Sequence, residues 1–357
     1  MLGALLAGAA LVSVLLGRYG DRVGRRRAYR ALLVLMGAAG TVFALTSWPP
    51  ALVLAALTGT VSTDVVESGP FTSLEQAMLP HAAGGRDPTR LFGAYNTVAT
   101  LAGSLGALAA GGPTLLHRFM PSLPSSQRWL LVYPLVAGIA LLVSTRISPS
   151  VEAGRALEAE TRPPLHRSRG IVLRLSGLFA LDSFGGGFVI QTFIAYWFSR
   201  KFGASPELLG VVFFATGLLQ ALSFQAAVRL AARIGLLRTM VFTHLPSNVL
   251  LAAIAFAPSL PAAVALLLAR FALSQMDVPT RQAYVVGVVD PSERTAAAAY
   301  TNTARYAVRP VAPLIAGALL QGALGAPFVV AGALKSIYDV GLYALFRRVE
   351  LAAERDL

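Results

Sequence analysis

The chain has 357 residues, of which 55% are apolar and 13% charged, with no cysteine and a formal net charge of +13. Soluble domains average about 25% charged residues, so a soluble protein of this size is excluded, and the lack of cysteine excludes a disulfide framework and thiolate metal sites. The basic excess does not indicate nucleic acid, because the arginines sit in short breaks between apolar runs and form no stripe with interleaved aromatics.

Apolar runs of roughly 17 to 25 residues match a hydrocarbon core of about 30 Å at 1.5 Å per residue. In chain order they predict eleven transmembrane helices, at 1–17, 30–47, 51–69, 91–112, 128–146, 171–198, 207–230, 238–257, 261–278, 296–319 and 326–346. The expected fold class is therefore an all-α membrane protein. Nothing basic precedes the first run and no cleavage site follows it, so it reads as a membrane helix and not as a signal peptide. Placing the arginine-rich stretch 18–30 in the cytoplasm fixes every other loop by alternation. Lysine and arginine then number 22 on the cytoplasmic side and 4 on the outer side, which strongly favours that orientation and a cytoplasmic C-terminus. Trp48, Trp129 and Trp197 fall at outer helix ends, where an indole suits the headgroup region.

The long polar stretch 147–170 reads as a cytoplasmic linker between an N-terminal bundle, 1–146, and a C-terminal bundle, 171–348, with a tail over 349–357. The bundles are related by an internal repeat. At a constant offset, Gln76 and Ala77 match Gln282 and Ala283, Asn96 and Thr97 match Asn302 and Thr303, and Gly111 matches Gly317. A second offset matches Arg22, Gly24 and Arg27 with Arg233, Gly235 and Arg238. By this register Met1 stands opposite Val212, and the span 171–198 with its following loop has no first-half partner. The expectation is five helices plus six, with the first helix of the full plan missing ahead of Met1, through a misplaced start or a fragment, the alternative being a genuine truncation.

The first break reads Gly17-Arg18-Tyr19-Gly20-Asp21-Arg22-Val23-Gly24-Arg25-Arg26-Arg27. A glycine, three residues, aspartate, arginine, one residue, glycine and a basic run resembles the signature between the second and third helices of the major facilitator superfamily. The resemblance covers the whole chain through the second, degenerate copy and the paired bundles. It implies that Gly17, Asp21, Arg22, Gly24, Arg25 and Arg26 form a cytoplasmic gate motif, in which Asp21, Arg22 and Arg25 latch the bundles in one state of the cycle. Two departures leave the subclass open. The glycine-rich run Gly103, Gly106, Gly111 and Gly112 carries its proline only at Pro113, and the fourth helix carries Asp64 and Glu67 where the family usually has arginine.

Ionisable groups near mid-bilayer cost about 2.5 to 3.5 kcal/mol on insertion scales, so each needs a partner, a wet cavity or a function. Asp64, Glu67, Asp182, Arg270, Arg305 and Arg309 are the candidates for a cavity or for coupling, with Asn96 and Asn302 as polar lining. The carboxylates either bind a coupling proton or neutralise the arginines. Arg305 and Arg309, one turn apart, form an anionic-substrate site, a charge-paired gate or a static salt bridge, and Pro310 and Pro313 bend the helix beyond them. Lys335 and Asp339, also four apart, are expected to pair on one helix face as a structural element. The run Met276 to Gln282 reads as a turn and gate element. Gln191, Gln220, Gln225, His244 and Asn248 suit interhelical hydrogen bonds.

His81, His117, His166 and His244 have no metal-ligand spacing, and no nucleophile stands beside a base in a known motif or in a phosphate-cradling loop. No enzyme, cofactor or metal is expected. The expected function is a secondary transporter, an efflux permease moving a small solute, with protons as the candidate coupling ion and a bacterial inner membrane as the setting. The alternative is a transport-incompetent sensor or scaffold.

Overall fold

The computed structural model describes residues 2–61, 69–82, 88–120, 122, 126–152, 165, 167–289 and 293–349. Among them the regular structure is helical: α1 Leu2–Val23, α2 Arg25–Leu45, α3 Pro49–Leu57, α4 Pro70–Ala82, α5 Pro88–Ala110, α6 Gly112–Phe119, α7 Val132–Ser144 and α8 Arg169–Gly187. The order continues with α9 Gln191–Phe202, α10 Pro206–Ile234, α11 Leu236–Ile254, α12 Leu260–Ser274, α13 Asp277–Val288, α14 Arg294–Val308, α15 Ala312–Gly322 and α16 Ala326–Phe346. Seven helical stretches are long and apolar enough to cross a membrane: Arg25–Leu45, Ala94–His117, Gln127–Ser144, Arg169–Phe202, Pro206–Ile234, Leu260–Val285 and Ala326–Phe346. The chain is an integral, multi-pass membrane protein.

The chain divides into two compact units, residues 1–99 with 106–159 and residues 100–105 with 160–357. The boundary at 159 and 160 falls inside the polar stretch 147–170.

Helix starts follow capping chemistry. Ser205 accepts from the Leu208 N–H at 3.4 Å before Pro206 and Glu207 open α10, and Ser259 accepts from the Ala262 N–H at 3.4 Å before Pro261 in α12. The stretch 18–30, expected as a loop, is nearly all helix. α1 runs to Val23 and α2 begins at Arg25, because Gly24 alone reverses the chain at φ 94 and ψ 126.

Two expected spans are broken. The run 171–198 splits into α8 and α9 after Gly185, Gly186 and Gly187, and 296–319 splits into α14 and α15 at a short 3-10 turn, Arg309–Val311. Pro310 lacks the N–H that would continue the helix, so the bend expected there is present. The two breaks pack together, since a Cβ on Gly187 would lie 2.6 Å from the Ala312 Cβ and 2.9 Å from the Arg309 carbonyl oxygen.

In the C-terminal unit, Val172, Leu175 and Phe179 of α8 pack with Met240 and Val241 of α11, Tyr284 and Val288 of α13, and Tyr338, Leu342 and Phe346 of α16. In the N-terminal unit, Ala28 and Leu32 of α2 meet Leu74 and Met78 of α4 and Val151. Lipid tails are as apolar as these side chains, so close packing and polar contacts hold the helices together. Trp197 departs from the interfacial role expected of it. It is fully buried, edge-on to Phe198 and Phe202 and 4.9 Å from the ring of Phe328.

Candidate functional site

In the C-terminal unit, α8, α11, α13 and α16 each bring charged or hydrogen-bonding side chains to one buried cluster. Asp182 of α8 lies one turn beyond Phe179 and faces Lys335 of α16, whose Nζ donates to Oδ1 at 2.5 Å. The Arg281 guanidinium of α13 stands 3.6 Å from the other oxygen of Asp182 and donates to Asp277 Oδ2 at 3.0 Å. The same guanidinium lies 5.7 Å from the centroid of Phe179. His244 of α11 joins the carboxylates of two helices: its Nδ1 lies 2.9 Å from Asp339 Oδ1 and its Nε2 lies 3.9 Å from Asp182 Oδ1. Asn248, one turn on, donates to Asp339 Oδ2 at 2.8 Å.

Because Nδ1 faces both oxygens of the Asp339 carboxylate, at 2.9 and 3.1 Å, Nδ1 carries the imidazole proton. Nε2 is then the atom free to take a second proton, and it faces Asp182. Protonation there replaces a lone pair directed at a carboxylate by an N–H directed at it.

Lys335 and Asp339 do not pair with each other as their spacing suggested. Lys335 pairs with Asp182 on α8, and Asp339 pairs with His244 and Asn248 on α11. Two carboxylates and one lysine on α16 and α8 are satisfied across helices, because α16 packs against both α8 and α11.

The remaining candidates take different positions. Arg270 of α12 is 8% exposed, lies 4.6 Å from the ring centroid of Phe271, and makes no ion pair and no hydrogen bond among the described residues. Asp182 acts on it through space. Arg305 is buried near the end of α14, its carbonyl accepts from the Ser183 hydroxyl at 2.9 Å, and its charge also acts on Asp182. Arg309 sits half-buried at the turn between α14 and α15. Asn302 lies on an exposed face of α14, whereas its repeat partner Asn96 is buried on α5. Asp64 and Glu67 lie outside the described residues, as do the side chains of Gln76, Ala77, Asp21 and Arg22 and the surroundings of Gly17.

The described part of the glycine and arginine signature is held by a residue that sequence reasoning left in the linker. Glu152 accepts from the backbone N–H of Arg25 at 2.7 Å and of Arg26 at 3.2 Å, placing a carboxylate on the positive end of α2. The Arg25 side chain donates to the Val151 carbonyl at 3.3 Å. In the C-terminal unit, Glu293 likewise accepts from Arg167 N–H at 3.0 Å and Ser168 N–H at 2.8 Å, ahead of α8. The run Met276 to Gln282 forms the first turns of α13, where Thr280 donates to the Met276 carbonyl at 2.9 Å. Of the partnerships in the cluster, Asp277 with Arg281 and His244 with Asn248 carried a spacing signal, each four residues apart.

No protein-family model matches the chain. An uncharacterized membrane protein of Saccharomyces cerevisiae, YJR124C, is 26% identical over 99% of this chain and 86% of that protein. The crystal structure of the human organic anion transporter MFSD10 (TETRAN) superposes with a TM-score of 0.66 at 20% identity, over 96% of this chain and 82% of the human one.

Proposed function

We propose that this chain, which has the major facilitator fold, is a secondary active transporter that moves a small organic anion across the membrane by alternating access. The observation that carries this reading is Arg270, a buried guanidinium with no ion pair and no hydrogen bond among the described residues. At membrane depth such a group costs about 2.5 to 3.5 kcal/mol unless something recovers it. Its planar fork suits a carboxylate or sulfonate, which can accept two parallel N–H bonds. The similarity to a human organic anion transporter supports the same substrate class.

The proton is the coupling ion in this reading, carried on Nε2 of His244 where it faces Asp182. Protonation there strengthens the tie between α11 and α8 and weakens the hold of Asp182 on Lys335 and Arg281. The broken helices α8–α9 and α14–α15 meet beside Asp182 and Arg305, the arrangement that discontinuous helices give to transporter sites. Asp21, Arg22 and Arg25 serve as gate elements in this reading, with Glu152 fixing the start of α2.

The test is counterflow in proteoliposomes containing the purified chain, with a panel of labelled aryl and alkyl carboxylates set against amines and neutral sugars. Saturable carboxylate uptake is expected, with Arg270→Ala weakening it about 10- to 100-fold, the loss of one charge-assisted contact of about 1.5 to 3 kcal/mol. Uptake of amines or sugars in place of carboxylates, or an Arg270→Ala variant that handles carboxylates like the parent, overturns the reading.

A further inference from the structure

The two units use the arginines at their helix ends differently. In the N-terminal unit, Arg25 is buried and donates to the Val151 carbonyl, and Arg30 donates to the Ser144 carbonyl at 3.2 Å. In the C-terminal unit, Arg169 and Arg174 of α8, Arg238 of α11, and Arg347 and Arg348 just past α16 are all exposed. None of these five makes a hydrogen bond or an ion pair among the described residues.

The five come from three helices that meet at one end of the unit. Ile171 of α8, Leu237 of α11 and Tyr343 of α16 pack on one core cluster, which holds Val172, Met240 and Phe346. The Tyr343 ring lies 5.5 Å from that of Phe242 on α11. Each arginine is close in sequence to one of these packed side chains, so apolar packing gathers the charges while the guanidiniums stay outside. One apolar span opens at Arg169 and another closes at Phe346, which puts the guanidiniums at the depth of the lipid headgroups.

Like charges gathered in this way repel unless anions stand among them. Among the described residues, the carboxylate at this end is Glu293, which is buried and accepts from the Arg167 and Ser168 N–H groups. A basic end by itself only orients a chain in the membrane. Guanidiniums converging from three helices, with no described carboxylate to neutralise them, do more than orientation requires.

We propose that this arginine face binds anionic phospholipid. Arg347 and Arg348 are its centre, with Arg169, Arg174 and Arg238 to either side, because α16 packs against both α8 and α11. Each guanidinium fork matches two oxygens of a phosphodiester. The ligand is a lipid and not dissolved phosphate, because Leu173 and Leu345, next to the arginines in sequence, are each 50% exposed and need acyl chains to cover them. Each arginine near an anionic lipid surface is worth about 5-fold in affinity.

The test is native mass spectrometry of the purified full chain in detergent, titrated with phosphatidylglycerol or with phosphatidylcholine of the same acyl chains. The parent chain is expected to bind phosphatidylglycerol about 100-fold more tightly. Arg238→Gln, Arg347→Gln and Arg348→Gln combined are expected to bring the two lipids level. Arg238→Lys, Arg347→Lys and Arg348→Lys combined keep the charge and are expected to stay within a few-fold of the parent. Arg200→Gln, at the other end of the span that α8 opens, is expected to keep the full preference. A parent chain that does not distinguish the lipids, or a triple glutamine variant that still does, overturns the proposal. An Arg200→Gln chain that loses the preference to the same degree shows adsorption by net charge and overturns it as well. Displacement of the lipid by an equal concentration of glycerol 3-phosphate identifies a free-phosphate site, with the same consequence. If the triple glutamine variant does not fold, the parent at about 1 M salt decides, where the Debye length is about 3 Å. The preference is expected to fall about 10-fold there, and an unchanged preference overturns the proposal. No transported solute enters the measurement, so it stands apart from the test of Arg270.

Discussion

Gly24 and Gly235 hold the same backbone turn at equivalent places in the two units, with φ of 94 and 86 and ψ of 126 and 162. Each ends one helix and starts the next without an intervening loop. This pair of angles is open to glycine and to almost nothing else, unlike the left-handed helical region that asparagine also visits. Gly203, at φ 66 and ψ 25, is of that second kind.

The two conformations therefore predict different tolerance. Gly235→Ala and Gly235→Asn should each cost about 1 to 3 kcal/mol, because no side chain lies within 4 Å and the strain is purely in the backbone. Gly203→Asn should be nearly neutral. Thermal unfolding in detergent is the measurement, and an asparagine that rescues Gly235 removes the backbone explanation.

The ion pair of Lys335 and Asp182 predicts a strongly coupled pair of substitutions. Lys335→Ala alone leaves a buried carboxylate short of its closest donor and should destabilise by about 3 to 5 kcal/mol. Asp182→Asn combined with Lys335→Met removes both charges and should recover most of that loss. Additive losses in the double-mutant cycle would show that the two residues act independently.

Glu152 and Glu293 each accept two backbone N–H groups, so glutamine in place of either keeps an acceptor and loses the charge. Glu152→Gln should cost about 1 to 2 kcal/mol and speed amide exchange at Arg25 and Arg26. Glu293→Gln should do the same at Arg167 and Ser168. Exchange that stays at the parent rate at these four amides refutes the capping role.

Protonation of His244 predicts a directional pH effect on transport. His244→Gln keeps a hydrogen-bonding side chain beside Asp339 but cannot take a proton, so solute exchange at equal pH on both sides should survive while uptake driven by a pH gradient is lost. Equal response of parent and variant to the gradient would remove His244 from coupling.

The all-helical, apolar character was readable because apolar length is a local property, although seven described stretches and not eleven are long and apolar enough to cross a membrane, and the turns at Gly24 and Gly235 were marked by the repeat. The chemistry was less readable. Lys335 and Asp339 are one turn apart and looked self-sufficient, yet α16 lies against two helices and each side chain finds its partner on a different one. Asp182 and His244 were visible only as isolated polar residues, since nothing in their spacing shows that α8 and α11 converge. Glu152 looked like part of the polar linker, because a carboxylate near a helix end looks solvated until the N–H groups it accepts from are in place.

The burial of Trp197 gives the molecule its own optical reporter. Trp48 is 63% exposed and belongs to the N-terminal unit, whereas Trp197 is fully enclosed by Phe198, Phe202 and Phe328, with the Lys201 ammonium 4.8 Å from its ring. Its indole, on α9, samples the contact with Phe328 of α16, the helix that also carries Lys335. Replacing Trp48 and Trp129 with phenylalanine would leave a chain whose emission colour comes from that contact alone. A shift to longer wavelength on adding a solute would then time the parting of those two helices without any attached dye.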